Sequence, residues 1–190
     1  EHQEFLPSVE ATAEENADSI KALPADGVAV YPADDACAPI WEKASEHCRR
    51  RTYATQPGVS ADLTAEVMTL GGTTEVRIHA AEGSAMTRLD IGGAHNGHNA
   101  AAAAAAAFSA GVKFDAVIQG LQAFKPVARR GVRHQLRPEL LLIDDTYNAN
   151  PDSMRAGIDV LTSSRGPLVL IAGDMGEVGT RGAEFHQEIG

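Results

Sequence analysis

The chain has 190 residues, 44% of them hydrophobic, which is enough for one or two domains with a sizeable core. Its 26 acidic residues outnumber its 16 basic ones, and the resulting net charge of −10 argues against a nucleic-acid partner. Most of this charge is expected to form a solvated surface. A site for an anionic nucleotide must therefore be locally basic or assisted by a metal ion.

Two cysteines, Cys37 and Cys48, are too few for a disulfide framework and are expected to be reduced and partly buried. No apolar run approaches the roughly 20 residues of a transmembrane helix, and no secretory leader is visible. A cytoplasmic location without a membrane partner is expected. The chain begins without methionine and stops inside a predicted helix, which indicates a fragment of a longer protein.

The first fifty residues follow a helix, strand, helix pattern. Residues 8–23 carry apolar side chains at helical spacing, residues 28–31 form a short apolar strand, and residues 38–50 are predicted as a second helix. This order of elements predicts a parallel α/β sheet.

The next section changes to a period of two. Apolar and polar residues alternate over residues 63–70, 74–79 and 86–91, which predicts an antiparallel meander. Eight consecutive alanines at 100–107 predict a closely packed core helix, preceded by His and Asn residues as caps. Residues 115–124 predict a further helix with its apolar side chains inward.

A linker is predicted at residues 131–138, between a first domain at 1–135 and a second at 136–190. The second domain is expected to begin with a strand at 139–144, followed by a polar loop and a helix. The apolar run at 168–172 predicts another strand, and an acid-bearing loop follows it as well. Such loops at the carboxyl edge of a sheet are typical of an enzyme's ligand site.

Three motifs, in the same order, resemble those of the Mur ligases. Gly93–Ala101 is similar to the family's HNxxNxxA segment, and it is followed by DDTYNANPDSM at 144–154 and GDMGEVG at 173–179. The resemblance covers nearly the whole chain. It implies an α/β fold with a partial, parallel-sheet ATP-binding central domain that also contains antiparallel strands. A partial Rossmann-like α/β C-terminal domain would follow.

The function implied by this resemblance is ATP-dependent amide ligation in peptidoglycan precursor synthesis. D-alanyl-D-alanine would be joined to UDP-N-acetylmuramoyl-tripeptide through an acyl phosphate, by a monomer that uses ATP and Mg²⁺. The family's phosphate-binding loop, GxxxxGK[ST], does not occur here, so the isolated fragment is expected to be inactive. Two alternatives remain open: another amide ligase of the superfamily, similar to folylpolyglutamate synthase, or a non-catalytic nucleotide-binding fragment.

The resemblance also implies a nucleotide site. Asn96 and Asn99 would bind adenine, since a carboxamide offers both a donor and an acceptor; helix capping is their alternative role. Arg130 aligns with the family's ATP-site arginine, whose planar fork suits phosphate, and Asp145 would bind ribose or the ATP–metal group. Both are implied to be catalytic. Arg129 stands where the family usually has glycine.

The remaining implied site residues concern substrate and metal. Asn148 and Asn150 would face the substrate cleft, and Asn150 is also expected to cap the helix that begins at Pro151. His2 occupies the place of a family histidine that helps to hold a second magnesium ion, a contact compatible only with a site otherwise built from oxygen. The family's carbamylated lysine is not carried over, because Asn16 stands nearest its place.

Overall fold

The computed structural model describes residue 6, residues 8–176 and residues 178–190, without the side chain of Thr180. Within these ranges the chain is an α/β protein with a five-stranded mixed sheet and a separate two-stranded hairpin. The strands are β1 Val28–Pro32, β2 Arg49–Ala54, β3 Leu63–Leu70, β4 Thr73–Ala80, β5 Gly83–Leu89, β6 Val132–Arg137 and β7 Leu140–Asp144. The helices are α1 Val9–Lys21, α2 Ala38–Ala44, α3 Ala94–Ser109, α4 Phe114–Ala123, α5 Pro151–Thr162 and α6 Gly182–Ile189.

The five-stranded sheet contains both the parallel strands and the antiparallel meander, which the sequence analysis predicted as separate features. Its strand order is β1-β2-β3-β4-β5, with β1, β2 and β3 parallel and β4 and β5 antiparallel to their neighbours. The predicted meander is confirmed as β3 to β5, and the parallel part lies beside it in one sheet. The predicted α/β class, with parallel and antiparallel strands together, is therefore confirmed.

The predicted helix at 38–50 is wrong in its second half. The helix ends at Ala44, where the fully buried Ser45 turns the chain: its N–H donates to Trp41 O at 3.0 Å and its hydroxyl donates to Glu42 O at 2.9 Å. Residues 49–54 then form β2 between two parallel neighbours. Strand pairing on both sides satisfies the backbone of this segment and overrides its local helical pattern.

The core lies between the sheet and α3. Leu63, Val76 and Ile78 of the sheet are fully buried, and they pack with the buried alanine face of α3, namely Ala100, Ala101, Ala104 and Ala105. Gly97 allows this close approach, because a Cβ atom added there would lie 3.0 Å from Val67 Cβ and closer still to both Val67 methyl groups. The alanine run is confirmed as a core helix.

The start of α3 is held against the sheet by a buried hydroxyl. Thr74 Oγ1 donates to Ile91 O at 2.8 Å and to Gly93 O at 3.2 Å. Helix α3 begins at Ala94, and Gly93, with φ of 105°, occupies the N-cap position without a side-chain hydrogen bond. The predicted His and Asn caps are therefore wrong, because the helix begins before these residues.

The region predicted as a linker contains β6, which pairs with β7 in an antiparallel hairpin, and the domain boundary placed there stays a prediction. Another prediction for the second half of the chain is wrong. The apolar run at 168–172 forms no strand in the described structure, and Ile171 is 90% exposed. A strand needs a hydrogen-bonding neighbour, and no described strand lies beside this run.

Two smaller predictions concern the cysteines and the membrane. Cys37 is buried and Cys48 is partly buried, and both are free thiols, as predicted. None of the helices in the described ranges combines the length and the apolar character needed to cross a membrane.

Candidate functional site

The segments predicted to bind nucleotide meet at the start of α3. The carboxylate of Asp145 lies close enough to His95 to influence its protonation. A Cβ atom added at Gly93 would lie 3.2 Å from Val160 Cγ2, so α5 packs beside the loop that leads into α3. The structure thus brings the HNxxN and DDTYNAN motifs together, although they are almost fifty residues apart in sequence.

The loop that leaves α4 is bound to the DDTYNAN loop. Arg129 Nε donates to Thr146 Oγ1 at 3.1 Å, and Arg129 Nη2 donates to Thr146 O at 3.0 Å. In return, Tyr147 N donates to Arg129 O at 3.0 Å. The guanidinium carbon of Arg130 then lies 4.1 Å from the centroid of the Tyr147 ring. Sequence reasoning gave no role to Thr146 or Tyr147, although an aromatic residue within a polar loop was a signal.

Arg129 has an unusual backbone conformation. Its φ is 67°, and among the described residues no other non-glycine residue has a positive φ. This left-handed conformation costs an ordinary residue about 1–2 kcal/mol. The turn at Arg129 is thus a left-handed one, which glycine would adopt without strain.

Arg130 is suited to binding an anion. Its side chain is exposed, and within the described ranges it makes no hydrogen bond or ion pair. Stacking over Tyr147 uses the face of the guanidinium and leaves the N–H groups at its edge open. An exposed cation–π contact of this kind contributes about 0.5–1 kcal/mol. The contact therefore orients Arg130 without neutralising its charge.

His95 and Asn96 are engaged with each other and with the loop before α3. Asn96 Nδ2 donates to Gly92 O at 2.7 Å and to His95 Nε2 at 2.9 Å. Because Nε2 accepts this bond, the proton of the neutral ring is on Nδ1. Burial lowers the pKa of His95, and the nearby Asp145 carboxylate opposes that shift. His95 is therefore neutral near pH 7, and the Asn96 amide orders the loop.

Asn99 differs from Asn96. It lies in the second turn of α3, is exposed, and makes no side-chain hydrogen bond within the described part of the chain. A carboxamide in this position keeps both its donor and its acceptor available. Of the two predicted adenine-site residues, Asn99 is the one whose side chain is not used to build the fold.

A network missed by sequence reasoning joins the ends of β1 and β2 to α3. Asp34 Oδ2 accepts the Thr55 N–H at 2.6 Å and the Gln56 N–H at 2.9 Å. Thr55 Oγ1 lies 3.1 Å from His98 Nδ1, and the His98 ring packs edge-on against Tyr53. Burial alone would raise the pKa of Asp34, but the amide hydrogen bonds outweigh it and the pKa is lowered.

We predict that Asp34→Asn makes the chain less stable near neutral pH and less sensitive to acid. The lowered pKa of Asp34 means that the ionised carboxylate stabilises the fold above its ordinary value of 3.8, and that this contribution is lost as pH falls below that value. Removing the charge should cost about 1 kcal/mol at pH 7. Urea titrations between about pH 7 and 3 measure both effects; parallel stability curves for parent and variant would contradict the prediction.

The two strand-end acids have different surroundings. Asp144 Oδ1 accepts the Thr146 hydroxyl at 2.7 Å and the Thr146 N–H at 3.2 Å, and these bonds lower its pKa. Asp144 therefore caps the turn that follows it. Asp145 is exposed, and its Oδ2 would lie 3.7 Å from a Cβ atom added at Gly157 in α5.

The two asparagines of the motif lie before α5. Asn150 Oδ1 accepts the Ser153 N–H at 2.8 Å and Ser153 Oγ accepts the Asn150 N–H at 2.9 Å, which forms a capping box with Pro151 as the first helical residue. The predicted cap is confirmed. Asn148 Oδ1 accepts the Ala149 N–H at 2.9 Å, so the oxygens of both proposed substrate residues have local hydrogen-bond partners.

The GDMGEVG motif lies against the DDTYNAN loop. A Cβ atom added at Gly176 would be 4.0 Å from Asn148 Oδ1. His186 of α6 fixes this segment, since its Nε2 accepts the Met175 N–H at 3.1 Å and its Nδ1 lies 2.7 Å from Gly182 O. The second acid of the motif, Glu177, lies outside the described residues.

The predicted metal residue cannot be placed. His2 lies outside the described residues, and those that are described contain no group of three or more His, Cys, Asp or Glu side chains able to hold a metal ion. Asn16, which stands nearest the place of the family lysine, is exposed on α1.

Comparison with known proteins gives matches over both halves of the chain. The Mur ligase middle domain matches residues 1–107, and the Mur ligase glutamate ligase domain matches residues 129–190. The UDP-N-acetylmuramoyl-tripeptide--D-alanyl-D-alanine ligase of Escherichia coli is 34% identical over the whole chain, and that of Bacillus subtilis is 32% identical. The chain spans 42% and 40% of these two relatives.

Solved structures agree with these matches. A MurF structure from Acinetobacter baumannii is 30% identical and superimposes with a TM-score of 0.90, covering 99% of this chain and 41% of that one. A Thermotoga maritima MurF structure, in complex with ADP, is 24% identical with a TM-score of 0.83 and covers 99% of this chain and 43% of that one, which shows a shared fold. Because the middle-domain match alone covers more than half of the residues, the chain belongs to the Mur ligase family.

Proposed function

We propose that this chain is part of an ATP-dependent ligase that joins D-alanyl-D-alanine to UDP-N-acetylmuramoyl-tripeptide in peptidoglycan precursor synthesis. The observation that carries the proposal is Arg130, an exposed guanidinium stacked on Tyr147 without a carboxylate partner in the described structure. It lies in the loop bound to the DDTYNAN segment, which in turn approaches α3. A cation with open N–H edges at this junction suits the phosphates of a nucleotide.

Residues of α3, of the loop before it and of the DDTYNAN loop would make the other contacts with ATP. Asn99 offers its free carboxamide to the adenine edge, while Asn96 orders the loop before α3. Asp145 supplies a carboxylate for the ribose hydroxyls or the ATP–metal group. Neutral His95 can donate from Nδ1 without adding positive charge.

The proposed reaction activates the tripeptide carboxylate. The carboxylate takes the γ-phosphoryl group of ATP and ADP leaves; the amine of D-alanyl-D-alanine then attacks the carbonyl carbon of the acyl phosphate, and inorganic phosphate leaves with loss of a proton from the amine. Arg130 stabilises the negative charge on the phosphate oxygens in bound ATP as well as during the transfer, provided that it is oriented before the reaction. Asn148 belongs to the proposed substrate side through its Nδ2 group, since its oxygen already accepts a backbone N–H bond, and Asn150 is proposed to lie on the same side.

The remaining parts of the proposal concern metal, domains and location. Magnesium accompanies ATP, and the described residues offer no cluster to which it can be assigned, so His2 remains the proposed contact. A first domain at 1–135 and a second at 136–190 would close on the nucleotide and exclude water from the acyl phosphate. The protein would act as a cytoplasmic monomer.

A coupled assay for phosphate release tests the function in a full-length ligase that carries this chain. Each reaction contains ATP, UDP-N-acetylmuramoyl-tripeptide and one candidate amine. Release that depends on D-alanyl-D-alanine supports the proposal. Release with glutamate and a folate substrate instead would support a folylpolyglutamate synthase activity, and binding of ATP without turnover would support a non-catalytic role.

We predict that Asn99→Ala in the full-length ligase raises the KM for ATP by about tenfold and weakens discrimination against GTP. A site that hydrogen-bonds a specific polar edge rejects analogues because they leave its groups unpaired. Folding should change little, since alanine is at least as favourable within a helix. ATP and GTP titrations with thermal melts measure these effects. An unchanged KM for ATP with a large loss of melting temperature would show that Asn99 is structural.

A further inference from the structure

We infer that Arg129 is a positioning residue, which acts through Arg130 by clasping the DDTYNAN loop at Thr146. This inference rests on the proposed function, because it takes Arg130 as the residue that binds the phosphates of ATP. The clasp consists of the two bonds from Arg129 to Thr146 and the return bond from Tyr147 N to Arg129 O, all between 3.0 and 3.1 Å.

The clasp determines where Arg130 can lie. Arg129 and Arg130 are adjacent in one loop, while Thr146 and Tyr147 are adjacent in the other. Joining the first residue of each pair therefore places the second residues face to face, with the Arg130 guanidinium 4.1 Å from the Tyr147 ring centroid. Arg130 N also donates to Val127 O at 3.1 Å, so the backbone before its side chain is held in a turn.

The conformation of Arg129 argues that its side chain has a function. A residue with φ of 67° is strained unless it is glycine, and glycine would form the same turn without strain. A solvated arginine would gain nothing from this position. The planar fork of Arg129 instead reaches both the hydroxyl and the carbonyl of Thr146, which glycine cannot do.

Within the DDTYNAN loop, a hydrogen bond orients Thr146 so that it can accept from Arg129. Asp144 Oδ1 accepts the Thr146 hydroxyl at 2.7 Å, so the hydroxyl hydrogen points to Asp144 and the Thr146 oxygen is available to accept from Arg129 Nε. In this series of hydrogen bonds Arg129 Nε donates to the Thr146 hydroxyl oxygen, and the Thr146 hydroxyl donates to Asp144. Arg129 links the two loops, and it is Arg130 that reaches the nucleotide.

The decisive variant is Arg129→Gly, because it removes the clasp and also the backbone strain. Its melting temperature is expected to equal or exceed that of the parent. In the full-length ligase the KM for ATP is expected to rise about three- to tenfold with kcat changed less than twofold, because a less ordered Arg130 binds the phosphates less well. Thr146→Val should have a similar effect, and Thr146→Ser, which keeps the hydroxyl, should restore the parental KM.

Two controls separate positioning from loss of charge. Arg165→Gly removes another exposed arginine and should leave the KM for ATP within twofold of the parent. In an Arg130→Ala background, Arg129→Gly should add less than a twofold change, because the residue through which it acts is gone. An unchanged KM in Arg129→Gly, or fully additive effects of Arg129→Gly and Arg130→Ala, would overturn the inference.

A spectroscopic measurement on the 190-residue chain tests the clasp independently of catalysis. The Tyr147 ring should shift the Arg130 side-chain resonances upfield, and this shift should be lost in Tyr147→Leu and reduced in Arg129→Gly. If Arg130→Ala leaves the KM for ATP unchanged, the nucleotide role proposed for Arg130 is wrong, and the resonances alone decide whether Arg129 orients it. A parental shift in Arg129→Gly would overturn the clasp.

Discussion

Arg130→Ala in a full-length ligase that carries this chain is expected to reduce kcat/KM for ATP by about ten- to hundredfold. The lost interaction is a charge-assisted hydrogen bond to phosphate, which contributes about 1.5–3 kcal/mol. Little stability should be lost, because Arg130 is exposed and its described contact is the stack on Tyr147. Steady-state kinetics with ATP as the varied substrate, together with thermal melts, measure the two effects.

Arg129→Ala is the matched control for this prediction. It removes an exposed arginine from the adjacent position and breaks the bonds to Thr146, so the Arg130 side chain is less ordered but still present. Its effect on kcat/KM should therefore be several times smaller than that of Arg130→Ala. Equal effects of the two substitutions would contradict the assignment of Arg130 as the residue that contacts ATP.

Gly97→Ala is expected to lower the free energy of unfolding of the chain by about 2 kcal/mol. The new Cβ atom would overlap both methyl groups of Val67, so α3 must move away from β3 or the valine must distort. Because Gly97 lies between Asn96 and Asn99, such a movement also displaces the proposed adenine site. A chain of this size should lose about 4–8 °C in melting temperature.

Two further substitutions test the cause of this destabilisation. Val67→Ala removes the overlapping methyl groups, so it should recover part of the stability lost in Gly97→Ala. Gly120→Ala places the same Cβ within α4, where no atom lies within 4 Å, and it should be neutral or stabilising by up to about 1 kcal/mol. If Gly120→Ala and Gly97→Ala destabilise equally, crowding against Val67 is not the reason.

The features that could be predicted from the sequence depend on residues near one another in the chain. The alternation of 63–70, 74–79 and 86–91 predicted β3 to β5, because neighbouring antiparallel strands need only short turns. Asn150 was predicted as a cap because Pro151, a favoured first residue of a helix, follows it directly, and its bonding partner Ser153 is only three residues away. The motifs were recognisable for the same reason, since each is a continuous segment.

The features that could not be predicted depend on partners far along the chain. The predicted helix extended to residue 50, but pairing with β1 and β3 makes residues 49–54 a strand. The run at 168–172 has the composition of a strand, yet without a described neighbour it remains exposed. Backbone hydrogen bonding between strands is a property of pairs, so a single segment does not reveal it.

The sequence by itself determined the α/β class, the family, and the residue types available for binding a nucleotide. The tertiary structure decided which of these side chains are used in the fold and which remain available for a ligand. Asn96 bonds Gly92 and His95, whereas Asn99 stays open, and Arg129 is held by Thr146 while Arg130 is presented on Tyr147. Identical residues close together in the sequence acquire different roles because a side chain's hydrogen bonds depend on which groups the fold brings within about 3 Å of it.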